Sequence, residues 1–593
     1  MVHDREHCNK RPRHSFCIRG NTGQRWTVAV APAFFLSTSL LLFAGFGTLW
    51  AQQQTKAPDS SLATPVRQAD LVCTRCHQTI YDNYLRTPMA NASGLATEGF
   101  TPGEFTHKPS AVHYSVELRN HEVWLTYDRG GVPEFALHGK ERLDYFVGSG
   151  LRGRTYLYSI DGFWFEAPIN WYTAFKSYDM RPGTGTYLQA PMFLPVQARC
   201  LYCHTSNVQP KVPGTTDRFV GLPFLHTGIT CEACHGDAAA HVLSGGRAAV
   251  INPAKLEGAR RDSICEQCHL ESETRFEHPQ RSILDFRPGD LVSDYFSYFV
   301  HEGAPKAGKG AVSQVEALMV SACKRASGDR LSCITCHNPH LRPSAEERVG
   351  YYRSKCLQCH SQPEFVRSHH PEELSCIACH MSRNTADIPH QQVTDHRILR
   401  VPSQADSVGV RLVPLLSPSA SDRDLGLAYG VFARGSDFAN SEALRLLESA
   451  REKGEADSIA LAELGYLLKQ AGKLDAASAA LNESLHRDPL NVRAAMSLAE
   501  IYKVSGKIKE EIELLRNAFE RDPHAVGPLL VDAQCQVGER RAAILTLERV
   551  LEFDPDSERF KARLTALRSG RGSCGQMLGR PNSIISPICL NCK

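Results

Sequence analysis

Seven times the chain sets two cysteines three positions apart and follows the second directly with a histidine. The copies are Cys73-Thr-Arg-Cys76-His77, Cys200-Leu-Tyr-Cys203-His204, Cys231-Glu-Ala-Cys234-His235, Cys265-Glu-Gln-Cys268-His269, Cys333-Ile-Thr-Cys336-His337, Cys356-Leu-Gln-Cys359-His360 and Cys376-Ile-Ala-Cys379-His380. Random placement of 21 Cys and 25 His in 593 residues would yield about 0.03 such triplets. Two thiols at this spacing share one helical turn. Both can form thioethers to the vinyl groups of one macrocycle while the adjacent imidazole lies beneath its iron. The chemistry is covalent attachment of c-type haem, seven haems in all. Zinc would use the same side chains, but tetrahedral zinc sites complete themselves with a second Cys or His pair at a set spacing. Disulfides within each pair would leave seven following histidines without a purpose.

An iron with one histidine below has a second axial position, and what fills it separates an electron carrier from a catalyst. Thirteen further histidines lie between Asp70 and Arg400. The best placed are tied to a motif: His226 five residues before Cys231, His241 six after His235, His340 three after His337, and His370 six before Cys376. His390 and His396, in DIPHQQVTDHRI past the last motif, come next. A surface or hydrogen-bonding role is the alternative for each. His121 and His138 read as ordinary polar residues.

The elements that must position these residues follow from the spacing. From Cys73 to His380 the seven motifs share 308 residues, too few to give each haem its own domain. The porphyrins should pack against one another and supply much of the core, with short helices around them. The expected fold is mainly α: a haem-packed cytochrome domain over 55–400 with a small β-hairpin insertion at about 100–195, then an α-helical solenoid of tetratricopeptide-repeat type. The insertion is read from two alternating stretches, VHYSVELRNHEVWLTYD around Asn120-His121 and RTYLYSIDGFWFEAPINWY around Asp161-Gly162.

Residues 401–423 are rich in Pro and Ser and read as a linker. Beyond them Gly472, Gly506 and Gly538 recur at intervals of 34 and 32, as do Pro489, Pro523 and Pro555. That period and helical patterning resemble the tetratricopeptide repeat over 424–570. Gly465 and Ala477 fit one unit, Ala499, Tyr502 and Ala518 the next, and Ala543 the third, with a degenerate unit holding Ala443 and Ala450. Stacked helix pairs offer a groove to a redox partner protein; a spacer or self-association role is the alternative. Residues 571–593 read as a tail, where Cys589-Leu-Asn-Cys592-Lys593 only imitates a lysine-ligated haem motif. Cys323 is a lone thiol near the fifth motif.

At the start, a basic leader precedes the uncharged run VAVAPAFFLSTSLLLFAGFGTLWA at 28–51. This reads as an export signal within 1–54, with cleaved and membrane-anchored forms both open. The rest is expected in the periplasm or elsewhere outside the cytoplasm. A formal charge of +3 gives no whole-chain attraction to nucleic acid.

The run Cys73-x-x-Cys76-His77-x-x-x-Tyr81-x-x-Tyr84-x-x-Thr87-Pro88-Met89-Ala90 resembles the first motif of the cytochrome c-554-type multihaem cytochromes, the cytochrome c-552/4 domain. ITCEACHG, LSCITCHNPH and CIACHM fit as well, so the resemblance covers about 70–400. In that family a His ligand commonly stands where this chain has Met89, which implies Met89 as an axial ligand; packing in a core is the alternative. Seven motifs behind an export signal read as an exported heptahaem electron carrier. The competing reading is a multihaem oxidoreductase acting on a small nitrogen or sulfur compound at one haem with an open position.

Overall fold

The structure, a computed structural model, describes residues 70–131, 136–187, 192–303, 313–369, 375–383, 394–400, 409–432 and 436–570. The chain is 45% helical and 19% strand, with four sheets built from 15 strands in its N-terminal half. The expectation of a mainly α fold with a small hairpin insertion is therefore corrected: the half that bears the motifs is a mixed α and β structure.

Strands β1 (Ser93–Leu95), β2 (Gly103–His107), β3 (Val112–Arg119), β4 (Glu122–Arg129), β5 (Leu137–Leu143), β6 (Tyr145–Val147), β7 (Gly153–Ile160), β8 (Phe163–Tyr172), β9 (Ser177–Met180) and β10 (Leu194–Pro195) form two antiparallel sheets. One runs β2-β3-β4-β5; the other runs β1-β6-β7-β8-β10, with β9 also on β8. The two hairpins read from sequence are β3-β4 and β7-β8. Asn120 and His121 both take positive φ, 51° and 64°, as a two-residue turn between right-twisted strands requires. Alternation then buries Val112, Tyr114 and Val116 against Val123, Leu125 and Tyr127. Further on, β11 (Thr205–Val208) pairs with β12 (Phe224–Thr227). Strands β13 (Thr274–Glu277), β14 (Phe296–His301) and β15 (Leu412–Pro414) make a three-stranded sheet.

Helices in this half are short. The longest are α1 (Leu71–Tyr84), α2 (Gly258–His269) and α3 (Arg348–Leu357). The C-terminal part is a helical array of α4 (Asp422–Phe432), α5 (Asp437–Glu452), α6 (Ser458–Gln470), α7 (Leu474–Arg487), α8 (Val492–Val504), α9 (Ile508–Phe519), α10 (Pro523–Gln536), α11 (Arg540–Phe553) and α12 (Glu558–Ser569). Its period has a local cause. Asp457, Asn491 and Asp522 each accept a hydrogen bond from the backbone N–H three residues on, capping α6, α8 and α10. Gly472, Gly506 and Gly538 stop the paired helices with φ of 74°, 70° and 77°.

The array is packed on the half that bears the motifs through both its first helices and the ends of later ones. Phe276, Phe299 and Leu412 of the three-stranded sheet share a core with Leu427, Leu446 and Leu461. Arg423 donates to Glu277 O at 2.8 Å and pairs with Asp457, while Ser297 donates to Asp424 at 2.8 Å. Leu490 and Arg521 close on Gly214. The His524 ring lies 3.8 Å from that of Phe193. Arg549 pairs with Asp161, and Phe553, fully buried, meets Phe163 edge-on at 5.4 Å. Among the described residues no helix is long and apolar enough to cross a membrane; the run 28–51 lies outside them.

Candidate haem-binding site

Each motif sits on a helical turn that ends at or near its histidine. Cys73 and Cys76 lie in α1, where His77 breaks the helical geometry at φ −120°, ψ 32°. Cys200–His204 fall in the helix Ala198–His204, Cys265–His269 end α2, and Cys376–His380 form a helix of their own. Cys231–His235 occupy the turn Glu232–His235 and its N-cap. The turn Cys333–Cys336 is held by a capping box between Ser332 and Thr335, after which His337 is extended. Cys356 is in the last turn of α3, with Cys359 and His360 just beyond. One turn thus points two thiols the same way and releases the imidazole beside them.

The motifs line one continuous cavity of about 3220 Å³, several times the roughly 300–1,000 Å³ of an ordinary small-molecule site. Motifs one to six contribute thiols, and the seventh contributes Ile377 and Ala378. Arg199, Arg275, Arg287, Lys324, Arg342 and Lys355 also face it, cations suited to the propionate carboxylates of haem.

Four motif histidines face a histidine from outside any motif, three of these pairs across this cavity. His77 faces His241, with ring centroids 6.4 Å apart and planes at 13°. His235 faces His340 at 5.9 Å and 13°, and His337 faces His396 at 6.2 Å and 28°. His380 faces His369 at 5.7 Å and 17°, their Nε2 atoms 3.4 Å apart. Two metal–imidazole bonds of about 2 Å plus the reach from each nitrogen to its ring centre come to about 6 Å, so the first three gaps fit an iron held on both sides, while the Nε2 atoms of His369 and His380 stand closer together than two such bonds would span. His241, His340 and His396 were marked by their places near motifs. The residue opposite His380 is His369, whereas His370 and His390 lie outside the described residues.

The other marked residues sit differently. His226, on β12, has a buried Nδ1 with no hydrogen-bond partner and does not line the cavity. Met89 lines the cavity, anchored by its carbonyl, which accepts from Ile229 N–H at 3.0 Å. Two groups escaped sequence reasoning. Asp70 accepts from Cys231 N–H at 3.2 Å, tying the first motif to the third. Tyr352 bonds His337 from α3. Neither belongs to a motif, so no spacing could flag them.

Thiols of different motifs touch: Cys73 with Cys231, Cys203 with Cys268, Cys265 with Cys333, and Cys356 with Cys376. All fourteen motif cysteines are free of disulfides. Burial pushes the Cys200 thiol up to about 12 and that of Cys234 to about 11. Burial likewise lowers His269, His340 and His396, and holds His337 at about 4 with help from His396 and His269. Neutral imidazoles are the form that ligates a metal.

Residues 184–236, which hold the second and third motifs, match the family described as cytochrome c554 and c-prime. No curated protein matches the chain. Among solved structures, the outer cell wall cytochrome OcwA is similar at 15% identity over 76% of this chain and 98% of its own, with a TM-score of 0.33. A form of MamA is similar at 25% identity over 25% of this chain and 87% of its own, with a TM-score of 0.22. A tetratricopeptide repeat protein from Parabacteroides merdae is similar at 16% identity over 24% of this chain and 59% of its own, also at 0.22. The family match falls where two attachment motifs lie and supports covalently bound c-type haem and electron carriage there, in a chain that ends in an array of TPR-like helical repeats.

Proposed function

We propose that the chain is an exported heptahaem cytochrome that passes electrons along a row of haems, with its helical array serving assembly and the docking of a redox partner. Each haem would be held by the two thiols and the histidine of one motif. The second axial ligands would be His241 for the first motif, His340 for the third, His396 for the fifth and His369 for the seventh. Met89 and His226 remain the candidates of their region. Bound haem supplies one-electron chemistry at its iron. The chain's own residues fix ring orientation, exclude water and place cations beside the carboxylates.

The observation that carries this reading is the facing imidazole pairs, three of them along a single cavity with gaps sized for one metal. Saturated axial positions favour transfer over substrate binding. Intact-mass measurement of the mature protein should count seven haems, and low-temperature electron paramagnetic resonance should find low-spin iron throughout. A high-spin signal amounting to one haem would favour the oxidoreductase reading instead. Export rests on the run 28–51, and a mature protein found in the cytoplasm would refute it. For the array, pull-down of a cytochrome from the same compartment by the full-length mature chain would support docking, and its failure would favour a spacer or self-association role.

A further inference from the structure

One inner residue of an attachment turn holds two other motifs. Gln267, between Cys265 and Cys268 on α2, is 6% exposed. Its side-chain oxygen accepts from the hydroxyl of Tyr202, inside the second motif, and its Nε2 donates to the carbonyl of Ala233, inside the third, at 3.4 Å. Its own carbonyl accepts from the Cys203 thiol of the second motif at 3.9 Å. Lys324 ties the same helix to the fifth motif, donating to Asp262 at 3.1 Å and to the carbonyl of Leu331, two residues before Cys333, at 2.8 Å. The sulfurs follow the same plan. Cys268 touches Cys203 and lies near Cys234 of the third motif, and Cys265 touches Cys333 of the fifth. Elsewhere contact is one to one: Cys73 with Cys231 joins the first motif to the third, Tyr352 with His337 the sixth to the fifth, and Cys356 with Cys376 the sixth to the seventh.

We infer that the fourth attachment turn is a junction where three other haem sites meet, with Gln267 as the positioning residue that holds two of them there. The sites then run first, third, fourth, fifth, sixth, seventh, and the second joins at the fourth as a side branch. This rests on the haem-attachment reading above. A thioether sulfur is bonded to the edge of its own macrocycle, so sulfurs in contact bring two such edges together. Exposure agrees with the order. Cys76 of the first motif and Cys359 and Cys379 of the sixth and seventh are exposed, while no thiol of the second to fifth motifs is. Leu201, inside the second motif, is fully buried. The row thus offers its two ends to partner proteins and keeps the branch enclosed. Loss of the fourth site would cut the row; loss of the second would not.

Neighbouring irons sense one another's charge through a low-dielectric interior, and that influence fades with separation. In the full-length mature protein, Cys265→Ser with Cys268→Ser should lower the intact mass by one haem and shift three of the six remaining components in a spectroelectrochemical titration. Cys200→Ser with Cys203→Ser should also remove one haem but shift a single component. Two milder variants keep every attachment. Gln267→Leu should retain seven haems and move the second, third and fourth components, leaving the rest superimposed on the unaltered protein. The second and fourth are identified by their loss in the serine variants, and the third by its conversion to high spin in His340→Ala. Tyr202→Phe should move the second and fourth and leave the third in place. Equal numbers of shifted components on removal of the second and of the fourth haem would overturn the proposal. So would Gln267→Leu with seven haems and an unchanged titration, or with a shift spread over every component. In the unaltered protein, a proteolytic peptide holding Cys265 and Cys268 without haem would overturn the attachment reading beneath it, and mass alone tells that failure from the others.

Discussion

At the scale of single residues, the imidazole pairs make a sharp demand. Removing His340 takes away the ring opposite His235 but none of the attachment chemistry. His340→Ala should therefore keep every covalent haem while about one haem converts from low-spin to high-spin, which electron paramagnetic resonance reads directly. His226→Ala should leave the four described pairs untouched. Much at this scale was legible beforehand. The attachment triplets are contiguous, so their geometry is set by one helical turn whatever the rest of the chain does. His241 and His340 could be marked because they follow motifs closely, and His396 because it lies past the last motif, but which iron each would face depends on long-range packing. His241 follows the third motif yet faces the first. His369 was passed over for its neighbour His370 because a spacing of five or six residues does not specify which way a short loop turns.

At the scale of elements, the repeat array was readable and the sheets were not. Repeats advertise themselves through Gly and Asp-Pro at a fixed period. Capping gives a test of that local code. The Asn491 side chain accepts from Ala494 N–H and donates to Ser458 Oγ at 2.9 Å, joining two repeats. Asn491→Ala should cost about 1–2 kcal/mol, seen as a lower thermal midpoint with the haem spectrum unchanged. The strands beyond the two visible hairpins are mostly three to six residues long and pair across long connections. Ser93–Leu95 joins Tyr145–Val147, and Phe296–His301 joins Leu412–Pro414. Strands this short carry too few alternations to register as a pattern. The last lies inside a Pro- and Ser-rich stretch that reads as connection alone.

For the whole molecule, the seam between array and sheets decides stability. Phe553 belongs to the array in sequence and to the β core in space. Phe553→Ala should cost about 3–5 kcal/mol and expose the chain near 401–423 to limited proteolysis. The seam is also acidic. Glu141 lies half-buried beside Asp554 and Asp556 and accepts from Tyr127 at 3.4 Å. Burial foremost, with those carboxylates adding, pushes Glu141 up to about 8 and Asp554 to about 6. Folded values above the ordinary ones mean that the folded chain holds protons the unfolded chain gives up. Stability should thus fall as pH rises from about 4.5 to about 8. Thermal midpoints across that range check the slope, and Glu141→Gln should flatten its upper half. A midpoint that climbs with pH would contradict the buried carboxyl.

The imidazole pairs also impose a calendar on the protein's making. His77 waits for His241, His235 for His340, and His337 for His396, each partner arriving later from the N-terminus onward. An early site can receive its haem and still stand half-built until a distant stretch has been synthesised and threaded back. A break just before His340 would show its damage upstream, at a third motif whose own sequence is perfect. Quality control in such a chain runs backwards, with the newest residues certifying the oldest.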